Sequence, residues 1–137
     1  MGKSTDMNGI WSGMYNYDQV DMTVKFTAWL DDENGALGGS VMEPNTFVDG
    51  GPDELMAKIK GVRSGLDLAF SKVYHKDLGI RQPPLRYEGE ANADFTEVRG
   101  VWRFDAPDLM QGQFRLIRMV EGMAGRLLRA RAETVKP

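Results

Sequence analysis

The sequence predicts an all-β protein, an eight-stranded antiparallel up-and-down β-barrel, and three observations carry that prediction. Side chains alternate in character along eight short stretches bounded by Gly, Pro, Asn and Asp. The connections between those stretches alternate between tight and long. Glycines recur inside or at the ends of the stretches, at Gly13, Gly38, Gly39, Gly61, Gly89, Gly100 and Gly112, where a tightly curved sheet needs bends and close approaches.

The strands are read in order as 9–17 (GIWSGMYNY), 22–30 (MTVKFTAWL), 36–42 (ALGGSVM), 54–63 (ELMAKIKGVR), 66–74 (LDLAFSKVY), 85–91 (LRYEGEA), 95–104 (FTEVRGVWRF) and 111–119 (QGQFRLIRM). In a meander, successive connections fall at opposite ends of the sheet. The tight ones, 31–35 (DDENG), the pair Ser64-Gly65 and 92–94 (NAD), therefore share one end. The others, 18–21, 43–53, 75–84 and 105–110, share the opposite end, and two of them are long and rich in Pro or Gly. One end is closed and the other is a mouth. Closure into a barrel removes exposed strand edges and leaves an interior for side chains or one small ligand. Beyond the last strand, Val120, Met123, Ala124, Leu127 and Leu128 recur at helical spacing, so a short C-terminal helix is expected over about 120–132, with continuation of strand eight as the competing reading. The domain boundaries follow: a disordered segment 1–8, the barrel 9–119, and a helix and tail 120–137.

Composition narrows the function classes. A chain of 137 residues, 42% hydrophobic and 27% charged, suits one domain with one core. No apolar run approaches the length of a membrane helix and the N-terminus lacks a secretory h-region, so no membrane partner is expected and the expected compartment is cytoplasmic. Without cysteine there is neither disulfide nor thiolate chemistry. A net charge of −3 gives no general attraction to phosphate backbones. The basic bias of the tail, Arg115, Arg118, Arg126, Arg129, Arg131 and Lys136 against Glu121 and Glu133, lacks interleaved aromatics and reads as a solvated face, so no nucleic-acid partner is expected.

Taken together, Gly9-x-Trp11 opening the first strand, NGALGGSVM, LDLAFSKVY, YEGEA, VRGVWRF and GQFRLIR resemble, in order and spacing over residues 9–119, the calycin superfamily of small barrels. The likeness is nearest to avidin-like domains and to bacterial lipocalin-like proteins. It implies that Trp11 plugs the closed end and stacks with Arg118, and the meander independently places both there. Period two then turns Gly13, Tyr15 and Tyr17 inward with Trp11. The analogy also turns Phe70, Lys72 and Tyr74, Leu85 and Tyr87, and Gly100 and Trp102 toward the lumen. Tyr15, Tyr17, Lys72, Tyr74, Tyr87 and Trp102 would then form an aromatic vault near the mouth, suited to a small organic ligand. Where avidins supply polar groups for biotin, this chain has Gly13, Tyr17, Val41 and Leu85, so biotin recognition is not expected.

No catalytic motif, metal-ligand spacing or cofactor loop stands out. His75, the single histidine, reads as a solvated loop group rather than a base, and Asp31, Asp32 and Glu33 read as solvated turn residues at the closed end. Glu43 and Lys72 could both face inward, but the expectation for Lys72 is a stem along the wall with its ammonium lifted into water at the rim. The leading expectation is a non-catalytic barrel binding a small, partly apolar molecule at its open end. The alternative is a structural or homo-oligomeric assembly module with a side-chain-filled lumen, and third comes a lyase- or isomerase-like enzyme using Glu43, Lys72 and Tyr74.

Overall fold

A computed structural model describes residues 5–45, 50–75, 84–104 and 110–119. Eight strands follow one another in order: β1 (Gly9–Asn16), β2 (Thr23–Glu33), β3 (Ala36–Pro44), β4 (Glu54–Ser64), β5 (Asp67–Tyr74), β6 (Leu85–Ala91), β7 (Glu97–Phe104) and β8 (Met110–Arg118). Each pairs antiparallel with its neighbours in sequence, and β1 pairs with β8, so the sheet closes into an up-and-down barrel. The predicted alternation is realised along β1, where Trp11, Gly13 and Tyr15 are buried while Ser12 and Met14 face out. Along β5 the same period buries Leu68, Phe70, Lys72 and Tyr74.

Local chemistry shifts the hairpin tips from their expected positions. The β2–β3 turn is Asn34-Gly35, both at positive φ, a pair suited to a tight hairpin because neither residue resists the left-handed region strongly. Asp31, Asp32 and Glu33 therefore belong to β2 rather than to the turn. The β4–β5 tip is Gly65-Leu66, one residue later than Ser64-Gly65, since Ser64 pairs with Asp67. β7 begins at Glu97, not at residue 95: Phe95 sits in the preceding turn at φ 55°, buried and covered by the Arg63 guanidinium 5.4 Å from its ring centroid. The expected helix at 120–132 lies outside the described residues.

The closed end carries the expected stopper. Trp11 is fully buried, and the Arg118 guanidinium lies 4.5 Å from its ring centroid, a contact that contributes about 0.5 to 2 kcal/mol. Arg118 also donates to the carbonyls of Phe95, Asn8 and Asp6, which straps residues 6–8 across the base. Met7 contributes to the core: it is fully buried, its carbonyl accepts from Trp11 Nε1 at 3.0 Å, and its amide donates to Asp32 at 2.9 Å. Asp32 is no solvated turn residue. Its carboxylate is buried against Arg63 Nε at 2.5 Å and also accepts the Gly35 amide, because an inward position on β2 needs internal partners for a charge.

Above the stopper the lumen is filled by side chains. Phe70 and Tyr87 stack at 4.9 Å between centroids, and Phe114 meets both edge-on. Phe26 swings into the space that Gly13 leaves open, where a Cβ would collide with its ring.

Candidate functional site

The mouth-side half of the lumen brings three strands' side chains onto one carboxylate. β3 runs two residues further than its sequence pattern ends, so Glu43 is a strand residue with an inward side chain, 1% exposed. Its Oε2 accepts from Tyr15 Oη of β1 at 2.6 Å, and its Oε1 accepts from Lys72 Nζ at 2.7 Å and Tyr74 Oη at 2.9 Å, both of β5. β1, β3 and β5 are never sheet neighbours, so these bonds cross the lumen.

Lys72 departs from the rim position expected of it. It is 2% exposed, and instead of reaching water its ammonium sits among tyrosine faces, 4.7 Å from the Tyr15 centroid, 5.1 Å from Tyr74 and 5.6 Å from Tyr87. The physical reason is the pair: a buried counter-charge and three π-faces replace the hydration that snorkelling would have kept. Trp102 closes one side, with Tyr15 and Tyr17 packed edge-on to it at 5.7 and 5.1 Å. Its indole Nε1 donates to the Asn16 carbonyl at 2.8 Å, an approach that passes over Gly112, where any Cβ would strike both groups.

Tyr15, Tyr17, Tyr74 and Tyr87 are all the tyrosines of the chain, and the pKa of each is raised. Burial is the main cause for each. At Tyr15 the negative charge of Glu43 adds to it, and at Tyr87 the Lys72 charge works against it. For Lys72, burial acts to lower the pKa, but Tyr87, Glu43 and Tyr74 outweigh it and hold it above the ordinary lysine value. At neutral pH the tyrosines stay protonated donors and the lysine stays a cation. One hydroxyl of the group is left over: Tyr87 Oη is buried beside the Lys72 ammonium and its O–H has no acceptor among the described residues.

All the vault residues expected from the sequence, Tyr15, Tyr17, Phe70, Lys72, Tyr74, Tyr87 and Trp102, together with Glu43, line this one region, with Tyr17 only half-buried. Leu85 is inward as well. His75 is not freely solvated: it is half-buried and its Nε2 is enclosed without a partner among the described residues. Sequence reasoning missed the closed-end group of Met7, Asn8, Asp32 and Arg63. The available signal was the period-two position of Asp32, in phase with Phe26, Ala28 and Leu30. A recess of about 510 Å³ on the outer wall, over β7, β8 and β1, is lined by Met14, Arg99, Val101, Gln113 and Arg115; it lies outside the lumen, and Glu97 already pairs with both arginines there. Among the described residues no cluster of His, Asp and Glu could hold a metal ion, and no helix is long and apolar enough to cross a membrane.

Comparison of the chain with protein-family models, curated proteins and solved structures returns no match.

Proposed function

We propose that this protein is a small-molecule-binding barrel of the calycin kind, with its site at the Glu43–Lys72 centre and its entrance at the mouth. One observation carries the reading: a buried ion pair surrounded by Tyr15, Tyr74 and Tyr87, the last of which has a hydroxyl with no acceptor among the described residues. Stability alone gives no reason for it, because replacing a buried ion pair by packed apolar side chains is often neutral or stabilising. A polar centre in an aromatic wall is what a binding site for a partly apolar molecule requires. Binding is favoured over catalysis because the raised pKa values leave the tyrosines and Lys72 poised neither to take nor to release a proton near neutral pH. The test is native mass spectrometry of protein purified from its own source. A retained small molecule that Lys72→Met or Tyr15→Phe releases supports the site.

A second reading, a structural or assembly module, is favoured by the packing of Phe26, Phe70, Tyr87 and Phe114 across the middle of the lumen. Protein that carries no adduct and self-associates with concentration would support that reading and overturn the first.

A further inference from the structure

The hydrogen-bonding capacity left at the centre narrows the class of ligand. Glu43 already accepts from Tyr15, Lys72 and Tyr74, so its oxygens offer little to a newcomer. The vacant capacity is on the donor side. An ammonium carries three N–H groups; among the described residues Lys72 bonds Glu43, and the Tyr15 ring and the Tyr87 ring and hydroxyl lie beside its Nζ. Tyr87, 2% exposed, keeps an O–H with no acceptor beside that same ammonium. Leaving such a donor unpaired has a cost, which an acceptor brought by a ligand would relieve.

Charge decides what kind of acceptor. Glu43 and Lys72 cancel one another at 2.7 Å, and a further ionised group in the same enclosed volume would find no counter-charge. The walls are flat rings: Tyr87 stacked on Phe70, and Trp102 beside Tyr15. Resting on the proposed site, we infer that its ligand is an uncharged, ring-bearing molecule that presents a carbonyl-type oxygen to Tyr87 Oη and the Lys72 ammonium.

Three probes of similar shape test this: acetophenone, which has a neutral carbonyl; cumene, which has no acceptor; and benzoate, which is an anion. Dissociation constants come from two-dimensional NMR titration of the full chain. Acetophenone should bind at least about fivefold more tightly than cumene, the equivalent of one net hydrogen bond, and more tightly than benzoate. In Tyr87→Phe the preference for acetophenone over cumene should fall about fivefold, the loss of one of its two donors, with cumene affinity unchanged, because only the hydroxyl has gone. As an independent measurement, the infrared carbonyl stretch of bound acetophenone should lie at lower frequency in the native protein than in Tyr87→Phe. Tightest binding by benzoate, or a preference that Tyr87→Phe leaves undiminished, would overturn this inference while leaving the site intact. Binding by none of the three would overturn both.

Discussion

The Glu43–Lys72 pair makes a strong prediction about coupling. In Glu43→Gln the ammonium stays buried, 2% exposed, and loses its counter-charge; in Lys72→Met the carboxylate stays buried with hydroxyl donors only. Breaking a buried pair from one side costs about 3 to 5 kcal/mol, with Lys72→Met at the lower end because Tyr15 and Tyr74 still donate to the carboxylate. The double variant Glu43→Gln/Lys72→Met contains neither charge, and the glutamine oxygen still accepts from a tyrosine. Its cost should be only about 1 to 3 kcal/mol, the size of an imperfectly satisfied buried polar group. The double variant should therefore be more stable than Glu43→Gln alone, and the coupling energy should be at least about 3 kcal/mol. Urea denaturation followed by tryptophan fluorescence measures this. With a slope of about 2 kcal/mol per molar urea, a 4 kcal/mol loss moves the midpoint by about 2 M. Should the double variant fall within about 0.5 kcal/mol of the sum of the singles, the two side chains do not share a buried site and the candidate centre is wrong.

Three further outcomes follow from the geometry. All four tyrosines have raised pKa values, so their contribution to stability is complete below the ordinary tyrosine pKa near 10 and is lost as pH rises toward the folded values; tyrosinate absorbance near 295 nm should appear together with unfolding, later than for free tyrosine. Burial acts to raise the Asp32 pKa, but Arg63 and the Met7 and Gly35 amides outweigh it and hold it below the usual carboxylate value, so its contribution is present above about pH 4 and disappears as pH falls through the folded pKa. Asp32→Asn should cost about 3 kcal/mol at pH 7, and a stability profile below pH 4 as steep as the native one would contradict the assignment. Gly112→Ala should destabilise by about 1 to 3 kcal/mol through overpacking and displace the Trp102 indole, visible as a shifted Nε1–H resonance; an unchanged resonance would argue against the close approach of Asn16.

The strand count and the tight connections at one end were legible in the chain because each depends on a local rule, whereas the Trp11–Arg118 stopper was implied by the likeness to calycins. Period two decides which residues face in, and connection length decides which end is tight. The inward set of β1, Tyr15 included, follows from phase; that of β5, Lys72 and Tyr74 included, was implied by the likeness to avidin-like barrels, and the burial along both strands agrees. Phase does not say where a long side chain ends. Lys72 had two destinations, and water is the usual one; only a carboxylate arriving from β3, with tyrosine faces around it, makes the interior preferable. Asp32 likewise has the hydrophilicity of a turn residue, and what keeps it in the core is Arg63, distant in sequence, together with the Met7 amide folded back over the base. The chain by itself determined the barrel and the direction of its side chains. Closure of that barrel decided which charged groups meet, because Glu43, Lys72 and Tyr15 sit on strands that are not paired in the sheet, and their side chains meet only across the lumen.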